Sequence, residues 1–168
     1  MPLIGLVHML KRLLYTIGLS VGLIGPALAE ELSPVQVVTA LYQAQEKSFN
    51  EGPVPLLIDG PKARQYFFND KADILNGIFI GYDPLYQGQD AEITDMTIAL
   101  NADFPQLTGT AVVDVRFRNF GEWVEMTYVL HRELADEGMW QVFDIEFDGG
   151  TLSALVSLAH THPGGFTD

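Results

Sequence analysis

The stretch Val113-Asp114-Val115-Arg116-Phe117-Arg118-Asn119-Phe120-Gly121-Glu122-Trp123-Val124-Glu125-Met126-Thr127-Tyr128 decides the fold. Apolar and polar side chains alternate on both sides of Asn119-Phe120-Gly121-Glu122, the period-2 pattern of half-buried strands flanking a tight turn. A turn there sets Phe117 opposite Val124 and Val115 opposite Met126 on one face. On the other face it sets Arg116 opposite Glu125 and Asp114 opposite Thr127. Opposite charges facing each other across a strand pair favour that register by roughly 0.2–1 kcal/mol. A slip of one residue would bury the charges and expose the apolar set.

The next hairpin agrees with the first. A turn near Ala135-Asp136-Glu137-Gly138 pairs Leu130 with Phe143, Tyr128 with Ile145 and Met126 with Phe147. Strands are predicted over 92–101, 109–118, 122–133 and 139–147. One sheet face then carries Val113, Val115, Phe117, Val124, Met126, Tyr128, Leu130, Phe143, Ile145 and Phe147. The other mixes Asp114, Arg116, Arg118, Glu125, Thr127, His131, Asp144 and Glu146 with Trp123, Val129, Trp140 and Val142. That apolar area calls for cover, from a homodimer partner or from the C-terminal helix. Two tryptophans scattered on a surface would call for none.

Upstream of the sheet the period is helical. Ser33-Pro34 reads as an N-cap followed by proline at the first helical position. Val35, Val38, Leu41, Tyr42 and Gln45 recur at helical spacing, so a helix is predicted to about Ser48, before Asn50 and Gly52-Pro53. A second helix is predicted from Pro61 to Asn76, and 77–91 is a long connection with turns at Asp83-Pro84 and Gly88. Thr151 reads as the cap of a short final helix over 151–160. The fold class is therefore α+β: N-terminal helices packed on the apolar face of a bent four-stranded antiparallel sheet, with a short C-terminal helix.

Residues 1–29 read as a secretory signal peptide. Lys11-Arg12 precede the apolar run Leu13–Ile24, Gly25-Pro26 breaks it, and Ala27-Leu28-Ala29 supplies a cleavage site before Glu30. Met9 is an alternative start. The apolar run is short of the roughly 20 residues that span a bilayer as a helix. The expectation is one soluble domain, 30–168, in the periplasm or secreted, with no membrane association after cleavage. The chain of 168 residues has 9 Lys+Arg against 22 Asp+Glu, a net charge of −13. Without Lys11 and Arg12 the balance is 7 against 22, or −15. Such a balance argues against nucleic acid, whose binding rests on basic groups that displace phosphate counterions. It also argues against an anionic membrane surface. The sequence has no cysteine, which excludes disulfides, thiol nucleophiles and thiolate metal sites.

Three blocks carry a family resemblance: Ser33-Pro34-Val35-Gln36-Val37-Val38 with Leu41-Tyr42, Asp83-Pro84-Leu85-Tyr86-Gln87-Gly88-Gln89-Asp90, and Trp140-Gln141-Val142-Phe143-Asp144-Ile145. Over residues 33–158 the chain resembles a bacterial family of small secreted NTF2-like proteins of unknown function. The resemblance implies a cone-shaped fold. It brings no catalytic residues with it, because no Tyr/Asp or His/Asp pair of the enzymatic NTF2-like groups can be matched by motif. Some relatives are associated with immunity against secreted toxins, which would imply a protein partner.

The candidate chemistry is sparse. His131 and Asp144 share the mixed sheet face and form the one pair that could act as a general base. The alternative is a surface histidine beside an acid. Tyr82, Tyr86, Gln87, Gln89 and Asp90 lie where a loop would rim the mouth of a cone, and could orient a ligand. Their polar groups could equally staple the loop through backbone hydrogen bonds. His160 and His162 read as tail residues, the acidic turns Asp136-Glu137 and Asp148 lack a calcium-loop pattern, and no metal or cofactor is expected. The aromatics Tyr42, Tyr66, Phe67, Phe68, Phe79, Tyr82 and Tyr128 would line a pocket or fill the core. The leading expectation is an exported, non-enzymatic binding protein for a small molecule or a basic protein partner. The other is a small enzyme using acid–base chemistry in a closed pocket.

Overall fold

The structure is a computed structural model and describes residues 31–51, 65–68, 83–88, 90–105, 107–132 and 138–161. Helix α1 spans Pro34–Glu51. Its first turn is closed by a reciprocal capping box: the Gln36 backbone nitrogen donates to Ser33 Oγ (3.3 Å), and the Ser33 backbone nitrogen donates to Gln36 Oε1 (2.8 Å). Strands β1 (Ile93–Leu100), β2 (Thr110–Asn119), β3 (Glu122–His131), β4 (Gln141–Phe147) and the short β5 (Gly150–Thr151) form one antiparallel sheet in chain order. Helix α2 (Leu152–Thr161) closes the described chain. The architecture is α+β, with a fifth strand added to the expected four. The fifth is the two-residue β5, immediately ahead of α2.

The β2–β3 register is the expected one at every position named above. Its two-residue turn is left-handed at Phe120 (φ 50°) and Gly121 (φ 83°), the backbone twist that matches a right-handed strand pair. Tyr128 faces Ile145 and Met126 faces Phe147, also as expected. Beyond Val129 the β3–β4 pairing shifts, and Leu130 faces Val142 rather than Phe143. A bulge accounts for the correction: one extra residue on β4 sends Val142 into the core, with no exposure, and leaves Phe143 41% exposed on the opposite face.

The core lies between α1 and the inward face of β2–β4. Val38, Leu41 and Tyr42 of α1 pack with Val113, Val115, Phe117, Met126, Tyr128, Leu130, Val142 and Ile145. Leu152 and Val156 of α2 join the same cluster.

A second correction concerns the helix predicted over 61–76. Of its described part, 65–68, Gln65 ends a 3₁₀ turn and the chain beyond it is not helical. Phe67 forms a parallel bridge to Val142, the Phe68 nitrogen donates to the Val142 carbonyl (3.0 Å), and the Val142 nitrogen donates to the Tyr66 carbonyl (2.7 Å). Apolar spacing alone places Tyr66-Phe67 in a helix. The free edge of the bulged β4 captures it as extended backbone instead. The rest of that predicted helix lies outside the described residues, as does the turn at 133–137.

Candidate functional site

The loop 83–88 docks on a buried polar network. Asp83 and Gly88 form an antiparallel bridge, with Asp83 N donating to Gly88 O at 2.8 Å. Asp83 is buried, and its carboxylate accepts from the Leu85 backbone nitrogen (2.8 Å) and from the Gln45 side-chain amide on α1. Burial pushes the Asp83 carboxyl above its ordinary value, although hydrogen bonds from Leu85, Gln45 and Tyr86 pull the other way. Beside it runs a chain of phenols. Tyr128 donates to Tyr42 (2.8 Å), and Tyr42 donates to the Leu85 carbonyl (3.1 Å). Burial raises both phenols well above their ordinary value. Among the described residues, no buried side-chain polar atom lacks a partner.

An open groove of about 660 Å³ runs between α1 and β1. Its helix wall is Thr39, Tyr42, Gln43 and Glu46, and its strand wall is Ile93, Met96 and Ile98, with Tyr86 and Ala91 also lining it. Thr39, Gln43 and Glu46 lie at i, i+4 and i+7, one line of the helix next to the core stripe. On β1 the alternation is broken by a bulge between Thr94 and Thr97, where Asp95 takes a left-handed conformation (φ 54°). The bulge keeps Ile93, Met96 and Ile98 facing inward, half-buried at the margin of the core.

A second concavity, about 510 Å³, lies on the sheet and is lined among others by Asp114, Arg116, Glu125, Thr127 and Glu146. Its polar groups largely satisfy one another. Arg116 pairs with Glu125 (3.1 Å), and Asp114 accepts from Thr127 (3.1 Å) and from Asn101 (2.9 Å). The tryptophans of this face lie beside arginines, and Trp123 remains 43% exposed. The guanidiniums of Arg116 and Arg118 lie 3.9 and 4.2 Å from the Trp123 ring centre, and that of Arg132 lies 5.1 Å from Trp140.

The two members of the candidate general-base pair face different partners. Val129 pairs with Asp144 and His131 pairs with Gln141. The Asp144 carboxylate accepts from the Ser153 backbone nitrogen (3.0 Å) and from its hydroxyl, so β4 caps the first turn of α2. Thr151 supplies the adjacent cap expected of it, to Ala154 N at 3.2 Å. The His131 ring stacks on Phe143 (4.4 Å, 13°) with Phe68 edge-on at 6.2 Å. No hydrogen bond or ion pair joins His131 to Asp144 among the described residues. In the loop, Gln87 turns back to donate to the Pro84 carbonyl (2.7 Å), a staple. Tyr86 lines the groove. Asp90 is exposed, and its carbonyl accepts from Asn119 at 3.5 Å. Tyr82, Gln89 and His162 lie outside the described residues, as does the His160 side chain.

Sequence reasoning overlooked the groove's helix wall and its β1 wall. The signal for the first was a polar line, Thr39-Gln43-Glu46, flanking the apolar stripe. The signal for the second was Ile93, Met96 and Ile98, whose spacing of three then two marks a bulged strand. Gln45 within an apolar stripe and Asp83 at the head of the loop were also both legible, and only their pairing was not.

No family model matches this chain, and no curated protein matches it. Among solved structures, the phospholipid-binding protein from Ralstonia solanacearum, in complex with a phospholipid, matches with a TM-score of 0.36 at 18% identity. The match covers 72% of this chain and 69% of that one. A likeness of that degree carries no argument about ligand or activity.

Proposed function

We propose that the chain is an exported binding protein of the NTF2-like cone type, in the periplasm or secreted, and that the groove between α1 and β1 holds a small amphipathic molecule. The groove carries this reading. Its volume of about 660 Å³ falls within the range of small-molecule sites, roughly 300–1,000 Å³. Its walls differ, apolar on β1 and polar on α1, so a ligand with one apolar and one polar side would satisfy both.

The acid–base alternative needs a carboxylate or imidazole enclosed with its substrate, and the groove's own Glu46 is exposed. Asp83, the buried carboxylate nearest the groove, is occupied by Gln45 and the loop backbone. Asp144 is occupied by α2. These engagements favour binding over catalysis. The protein-partner form of the reading, a basic protein on an acidic surface, is supported by the net charge of −13.

The test is titration of the purified protein with the neutral fluorophore N-phenyl-1-naphthylamine. Saturable enhancement is expected, and it should be lost when Ile98→Lys places a charge in the apolar wall. Enhancement that is absent, or unchanged in that variant, would remove the groove as the site.

A further inference from the structure

We infer that the groove selects a cationic head group, an amine or quaternary ammonium carried on an apolar body; the inference rests on the groove being the ligand site. Among its described lining residues, the charge is supplied by Glu46, and no lysine or arginine lines it. Glu46 is exposed and stands one helical turn from Tyr42 on the same side of α1. The rings of Tyr42 and Tyr86, 5.9 Å apart and almost wholly buried, add apolar lining beside it. A carboxylate with no basic neighbour attracts an ammonium group and repels an anion.

The field of Glu46 is felt at that end. The Tyr86 phenol is pushed up to about 12, by burial first and then by the negative charges of Asp83 and Glu46.

Two of the groove's hydroxyl donors are committed elsewhere, and the Gln43 side-chain amide remains. The Tyr42 hydroxyl donates to the Leu85 carbonyl (3.1 Å), and the Thr39 hydroxyl donates to the Val35 carbonyl (2.7 Å). A carboxylate or phosphate head would meet Glu46 with those two hydrogens already spent, at the cost of like-charge repulsion. An ammonium head instead gains the carboxylate, while its chain lies along Met96 and Ile98.

The test uses three probes of one length: octylammonium, octanol and octanoate, titrated at neutral pH and low salt. Binding is read by calorimetry and by the Met96 methyl resonance, which localises it to the groove. Octylammonium is expected to bind about tenfold more tightly than octanol, with octanoate weakest. Glu46→Gln should bring the ammonium and the alcohol to within about twofold. Glu146→Gln, which removes an equal charge elsewhere on the sheet, should leave the tenfold preference intact. If octanol and octylammonium shift the Met96 methyl with equal affinity, or octanoate binds best, the head-group inference fails and the groove stands. The inference also fails if Glu146→Gln erases the preference as fully as Glu46→Gln does. If none of the three moves that methyl, the groove reading itself falls, and the inference with it.

Discussion

The same inward face of the sheet ends in two ways. Over β2–β4 it is closed: Val113, Val115, Phe117, Tyr128 and Ile145 have almost no exposure beneath α1. Over β1 it is open: Ile93, Met96 and Ile98 are half-buried and line a groove. Alternation is strict through β2 and β3 and interrupted on β1 by the bulge at Asp95. They differ in place: β2, β3 and β4 each have a strand on both sides, whereas β1 is the edge of the sheet. The closed part supplies stability, and the open part leaves apolar area in water, where a ligand can claim it.

The largest test of this contrast is a pair of truncations. Phe117→Ala should cost about 3–5 kcal/mol in urea unfolding, whereas Met96→Ala on the open side should cost about 1 kcal/mol or less. Similar losses at both sites would erase the distinction. The bulge gives the next contrast, within two adjacent residues. Val142→Ala should cost about 2 kcal/mol, since its side chain is wholly buried. Phe143→Ala should cost about 1 kcal/mol or less, chiefly its stacking on His131. The reverse ranking would restore the unbulged register. Asp144→Ala should cost about 1 kcal/mol through loss of the α2 cap, and a loss of helical signal in circular dichroism would check it.

The fourth effect is a slope. Burial raises the Asp83 carboxyl in the folded state above its ordinary 3.8, so the folded chain holds that proton more tightly than the unfolded one. Its contribution to stability is complete below pH 3.8. It is lost as pH rises through the raised value, and stays lost above it. Asp83→Asn should remove that decline, and urea midpoints compared across the acid range would show the flattening. Smallest of all, Glu46→Gln should change stability by no more than about 0.5 kcal/mol, because its carboxylate is exposed. A larger loss would make Glu46 a structural residue.

The sheet was legible in the sequence because its alternation is strict and its charges are paired. Arg116 opposite Glu125 and Val115 opposite Met126 leave one register. The bulge was not legible. Trp140-Gln141-Val142-Phe143 offers several large side chains for one buried place, and only three-dimensional packing chooses Val142. The extended segment at Tyr66-Phe67 was misread as helix for a related reason: short apolar runs fit either period, and the bridge to Val142 decides between them. In the loop, the staple reading of Gln87 was legible, and its bond to the Pro84 carbonyl matches it. The groove walls were missed because a groove is a relation between α1 and β1, and each wall alone reads as an ordinary amphipathic element.

The phenol relay has a consequence for alkaline conditions. Each hydroxyl passes its hydrogen one way, from Tyr128 to Tyr42 to the Leu85 carbonyl, so a single ionisation at Tyr42 would cut the tether on the 83–88 segment. Those two rings should therefore stay silent in an ultraviolet phenolate titration until the loop lifts. Their delayed absorbance would then serve as a built-in clock for the opening of this corner of the molecule.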